Sequence, residues 1–112
     1  MAMELTTEGN LLKVSVEGRL VAAAVPGMRD DILGHVKDGM NVLFDLGKMV
    51  HIDSSGLGLL VQVLQKVKAG GGKVVLAALQ PRPKIVFDIT KVSRVFEIVQ
   101  TVAEAEAKLV EG

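Results

Sequence analysis

The sequence predicts an α/β fold: a mixed, mostly parallel central sheet of about five strands, with four helices packed against it. Three observations carry that expectation. Short apolar runs of strand length alternate with stretches whose apolar residues recur at helical spacing. The links between the later strands are themselves helical, and parallel strands need such crossovers. The 112 residues include no cysteine, so no disulfide or thiolate metal site can replace a buried core. One domain spanning residues 1–112 is long enough to build that core by burial alone.

Met3 to Thr7 reads as a first strand and Gly9-Asn10 as the tight turn that follows. Leu12, Val14 and Val16 then alternate with Lys13, Ser15 and Glu17, the pattern of a strand with one buried face, which Gly18 is expected to close. Ala22 to Ala24 lead into a helix with Pro26 in its first turn, where a missing N–H costs least. Val25, Met28, Ile32 and Val36 form its apolar stripe, and Lys37-Asp38-Gly39 ends it. Val42 to Leu46 is a buried central strand. Leu57, Leu60, Val61, Leu64 and Val67 mark the next helix, which stops at Ala69-Gly70-Gly71-Gly72. These glycines form a cap and turn, since no Gly-x-x-x-x-Gly-Lys-Ser/Thr pattern is present and the run follows a helix. Lys73 to Ala78 is another strand, Pro81 to Ile89 a short helix, and Val95, Phe96, Ile98 and Val99 a last strand. Thr101 and Glu104 make a capping box for a final helix with Val102, Ala105 and Leu109 inward.

Composition narrows the function. Thirteen basic residues balance thirteen acidic ones, so no net field draws the protein to nucleic acid or anionic membranes. Three aromatic residues, all Phe, make no base-stacking platform. No apolar run approaches the roughly 20 residues that cross a bilayer, and no secretory leader is expected, which suits a cytoplasmic protein without membrane insertion. Neutral charge and 49% apolar content favour docking onto other proteins and weak self-association.

The chemistry concentrates at Asp53-Ser54-Ser55-Gly56-Leu57-Gly58, between the central strand and the second helix. Free backbone N–H groups gather at such a junction, and the helix dipole favours negative charge there. A hydroxyl in this place can cap the helix, attack a substrate or receive a phosphate. A nucleophile needs a base, and only His35 and His51 exist; the Gly-x-Ser-x-Gly elbow is also absent. Asp45 and Asp53, without His or Cys partners, make at most a water-rich magnesium site, so no metal or cofactor is expected. A phosphate on Ser55 would add roughly −1.5 to −2 charges where the helix terminus tolerates them. With the core centred on Leu57, Leu60 and Leu64, the helix's far side carries Leu59, Gln62, Val63 and Lys66. Leu59 and Val63 are then either part of a docking stripe in water or covered by a second layer of the same domain.

Val42-Leu43-Phe44-Asp45-Leu46 followed by Ile52-Asp53-Ser54-Ser55-Gly56-Leu57-Gly58 resembles the signature of STAS domains, and most closely that of stand-alone bacterial anti-sigma-factor antagonists. Further matches are Gly18-Arg19-Leu20, Gly71-Gly72-Lys73, Pro81, Phe87-Asp88 and Phe96-Glu97-Ile98-Val99. The resemblance implies a non-enzymatic regulator that binds an anti-sigma factor acting also as a serine kinase. It implies phosphorylation of Ser55 by that kinase, resetting by a serine phosphatase, and partner contact at Asp53, Ser54, Gly56, Leu59, Gln62, Val63 and Lys66. Val21 stands where relatives commonly carry an acid, and Lys91 where many carry glycine. The same family also includes unphosphorylated modules in stress-signalling scaffolds and in lipid transporters bound to an ATPase subunit.

Overall fold

A computed structural model describes residues 2–111. Strands β1 (Ala2–Glu8) and β2 (Leu11–Leu20) form an antiparallel hairpin. Helix α1 (Val25–His35), strand β3 (Asn41–Ile52), helix α2 (Ser54–Ala69) and strand β4 (Val74–Ala77) follow. Helix α3 (Pro81–Ile89), a 3₁₀ turn at Val92–Arg94, strand β5 (Glu97–Val99) and helix α4 (Val102–Glu111) complete the chain. The sheet order is β1-β2-β3-β4-β5, parallel from β2 onward. The expected α/β class and mixed, mostly parallel five-stranded sheet are both observed.

Strand alternation sends side chains to two faces. Leu12, Val14, Val16, Val42, Phe44, Leu46, Val74 and Leu76 enter the larger core with the apolar sides of α1 and α2 and with Phe87 of α3. Leu43, Val75, Ala77 and Val99 face the other way, where Ala105 and Leu109 of α4 cover them. Salt bridges from Lys13 to Glu106 (2.9 Å) and from Lys108 to Glu97 (3.1 Å) hold α4 to β2 and β5. The Thr101 hydroxyl caps α4 by accepting the Glu104 N–H at 3.1 Å.

Asn41, at the start of β3, connects four segments. Its backbone N–H donates to Asn10 O at 2.8 Å. Its side chain accepts the Lys73 N–H at 2.9 Å and donates to Leu109 O at 3.4 Å. The end of the sheet remote from the serine pair is therefore tied together by one residue.

Several boundaries differ from expectation, for a common reason. Gly18 does not close β2. It lies inside the strand with φ of +92° beside a register shift, a bulge that a side chain would strain, and pairing resumes at Arg19 and Leu20. Because β2 continues, β3 continues beside it: Lys48, Met49, His51 and Ile52 pair with Glu17, Gly18, Arg19 and Leu20. β3 therefore ends at Ile52 and not at Leu46, and His51 belongs to the strand. Lys73, Ala78, Val95 and Phe96 fall just outside their strands. Ala78 has φ of +61°, which bends the chain out of the sheet.

Candidate functional site

The site is built where β3 gives way to α2. Asp53 is the N-cap: its extended backbone ends the strand, and its Oδ1 accepts the Gly56 N–H at 3.0 Å. Its Oδ2 accepts the Ala22 N–H at 3.1 Å, which ties the β2–α1 loop to the helix start. The Gly56 N–H, and after it the N–H groups of Ala22 and Ser55, hold the Asp53 carboxyl below the usual carboxylate range, against the opposing effect of partial burial. Asp53 thus works as the cap and loop clamp.

Since Asp53 does the capping, the serines are spared that role. Ser54 is exposed and Ser55 half-buried, in the first turn of a 16-residue helix with no acidic side chain in that turn. The helix dipole at this terminus favours an anion, although the Asp53 carboxylate already takes the Gly56 and Ser55 N–H groups. Gly56 turns its hydrogen inward: a Cβ there would lie 2.5 Å from Leu20 O and 2.7 Å from Ile52 Cγ1. This glycine lets the helix terminus rest against the end of β2, so its contribution to any partner contact is indirect, through the placement of Ser55.

Leu59 and Val63 correct the expectation of an apolar stripe in water. They are 1% and 0% exposed. The helix buries Leu57, Leu59, Leu60, Val63, Leu64 and Val67, an arc of about 160° at the helical 100° per residue. The arc is wide because α2 packs against both the sheet and α1, and Leu59 and Val63 belong to the same core as Met28 and Ile32. Of the two placements the spacing left open, coverage by a second layer of the same domain is the observed one. The exposed arc is Ser54, Gly58, Gln62, Gln65, Lys66, Lys68 and Ala69, with Ser55 at its border. Lys66 reaches back to α1, donating to Leu33 O at 2.9 Å.

Gly58 is the residue that reading the sequence for side-chain chemistry passes over. It lies three residues after Ser55 on the exposed arc, and nothing lies within 4 Å of where its Cβ would be. The surface beside Ser55 is therefore bare helix backbone. The signal was present in the spacing of the two glycines, Gly56 inward and Gly58 outward.

The remaining candidates are dispersed. His35 Nδ1 lies 2.7 Å from Asp31 O within its own helix. His51 lies on β3 next to Arg19, in a groove against α3. Asp45 accepts the Gly47 N–H at 3.1 Å and is separated from Asp53 by Leu46–Ile52, roughly 25 Å of extended chain. The two carboxylates therefore share no loop mouth, and no cluster of three metal-ligating side chains occurs among the described residues. No described helix is long and apolar enough to cross a membrane. Val21 is half-buried, and its carbonyl accepts the Ala24 N–H at 2.9 Å.

Comparison with known proteins agrees with this fold. The anti-sigma-B factor antagonist of Bacillus subtilis is 28% identical over 89 residues, covering 80% of this chain and 82% of that protein. An anti-sigma-factor antagonist (STAS) domain protein from Planctomyces limnophilus superposes with a TM-score of 0.84 at 23% identity, over 96% of each chain. The Bacillus cell fate determinant SpoIIAA, in its phosphorylated form, superposes with a TM-score of 0.69 at 21% identity, over 96% of this chain and 98% of that one. The family model for the STAS domain matches residues 2–105, nearly the whole sequence, and the chain belongs to the STAS domain family.

Proposed function

We propose that the protein is an anti-sigma factor antagonist whose single STAS domain, residues 1–112, acts in the cytoplasm by binding and not by turnover. Its partner is an anti-sigma factor that is also a serine kinase. The unphosphorylated protein docks through the N-terminal turn and exposed arc of α2, with Ser54, Ser55, Gln62 and Lys66 at the contact and Gly58 allowing close approach. Phosphorylation of Ser55 releases the partner, and a serine phosphatase restores docking.

The observation that carries this reading is the division of labour between Asp53 and Ser55. Asp53 caps the helix and holds the neighbouring loop, which leaves the Ser55 hydroxyl at the border of the exposed arc without a structural duty. A phosphate there meets a helix terminus that tolerates its charge, so the host fold survives. The same charge in a docked interface loses its water and faces a partner shaped for a hydroxyl. Binding changes while folding does not.

The test uses serine kinases encoded beside the gene. With ATP, one of them should place a single phosphate on Ser55, located by mass spectrometry, and Ser55→Asp should weaken kinase binding at nearly unchanged Tm. Label on another residue, or equal binding by Ser55→Asp, overturns the switch. A large fall in Tm for Ser55→Asp shows instead that Ser55 is a structural cap.

A further inference from the structure

β3 has two edges of unequal length. Its pairing with β2 runs to Ile52, whereas its pairing with β4 ends at Asp45 opposite Ala77. From Leu46 to Ile52 no strand lies along the β4 side, because the chain leaves the sheet at Ala78 and enters α3. A groove opens between this stretch and α3, lined by Arg19, Val50, His51, Arg82 and Ile85. Val50 and Ile85 are each 57% exposed, and Ile89, one turn further along α3, is 74% exposed. A strand edge with no strand partner, beside exposed aliphatic side chains, is an arrangement that proteins ordinarily cover or protect with charge.

The ionisable side chains that line this groove are all basic: Arg19, His51 and Arg82. Arg19 and Arg82 form no salt bridge among the described residues. Acidic side chains close by in sequence are engaged or turned elsewhere. Asp53 accepts from Ala22 and Gly56, Asp88 pairs with Lys84 at 2.9 Å, and Glu17 lines a different depression with Ser15 and Asp45. We propose that the groove receives an extended acidic segment of a partner protein, which lays alternate apolar side chains on Val50 and Ile85 and carboxylates against Arg19 and Arg82. An extended segment fits because alternate residues of a strand face opposite ways, so one side can meet the apolar floor while the other meets the arginines. An acidic segment fits because it neutralises cations that have no partner in the free protein. Ser55 does not line this groove, and the proposal does not rest on its modification.

The experiment titrates the isotopically labelled full chain with an eight-residue peptide of alternating Glu and Val, and separately with its Lys–Val counterpart, followed by amide chemical shifts. The acidic peptide should shift residues 48–52 and 82–86, and the basic peptide should leave them in place. Arg19→Glu combined with Arg82→Glu should weaken binding at least tenfold, as should Ile85→Glu alone, and Ser55→Asp should leave it unchanged. The proposal is overturned if the acidic peptide shifts nothing or shifts another surface, or if both peptides bind alike. It is equally overturned if anionic phospholipid vesicles shift this groove and the peptide does not, or if Ile85→Glu abolishes a self-association that accounts for the exposed face.

Discussion

The Asp53 carboxylate and the Ala22 backbone N–H meet at 3.1 Å, which joins the loop after β2 to the first turn of α2. With the second oxygen on Gly56, one side chain sets the position of both segments that border Ser55. Asp53→Ala should cost about 1–2 kcal/mol as a lost N-cap. In a hydrogen-exchange experiment the amides of Ala22 and Gly56 should lose protection more than those of β4.

The same carboxylate gives a pH signature. Its folded pKa lies below its ordinary value of 3.8, so its stabilisation is fully present above that value and is lost as pH falls through the folded one. Asp88 is likewise lowered, by Lys84, and contributes in the same acid window. Urea titrations should therefore show stability falling with acid below about pH 4. The Asp53→Asn protein should show a shallower fall, because only the Asp88 share remains.

The two glycines of the serine motif should respond oppositely to alanine. Gly58→Ala meets nothing within 4 Å and removes a glycine from a helix, which should stabilise the protein by up to about 1 kcal/mol. Gly56→Ala places a methyl group against Leu20 O and Ile52 and should destabilise it by about 1–3 kcal/mol. Denaturant midpoints of the two variants decide this, and equal midpoints would contradict the inward and outward assignment.

Leu59 and Gln62 separate core from surface on α2. Leu59→Ala should cost about 2–5 kcal/mol, because it empties a fully enclosed site. Gln62→Ala should leave the thermal midpoint nearly unchanged and, if the docking reading is right, weaken partner binding in calorimetry.

Lys91 has φ of +63°, a left-handed conformation that favours glycine. Relief of the Cβ clash in Lys91→Gly should stabilise the protein by about 1 kcal/mol, read as a raised denaturant midpoint at constant slope. Ala78→Gly, at φ of +61°, should act in the same direction.

Elements whose cues are local could be read directly from the chain. Pro81 to Ile89, the Thr101–Glu104 cap and the Gly9-Asn10 turn need only neighbouring residues, and all three stand where the residues place them. Features that depend on distant partners were hidden. β3 runs on past Leu46 through Gly47, Lys48 and His51, residues with little strand character, because β2 supplies hydrogen bonds beyond its bulge. Leu59 and Val63 look amphipathically misplaced until α1 is seen to pack beside α2. Spacing along one helix reports its period but not how many neighbours it has. For the serine motif, the helix start was legible in the residues, while the close packing of Gly56 on Leu20 and the contact of Asp53 with Ala22, 31 residues away, were not.

Asn41 gives the molecule a gradient of rigidity. The hairpin turn, the entrance to β4 and the end of α4 all converge on that one residue, whereas the opposite end carries the serine turn and a length of β3 with no strand on its β4 side. Opening fluctuations should thus be rarest around Asn41 and most frequent toward Ser55. A partner docking there would then meet a turn held by the two hydrogen bonds of the Asp53 carboxylate.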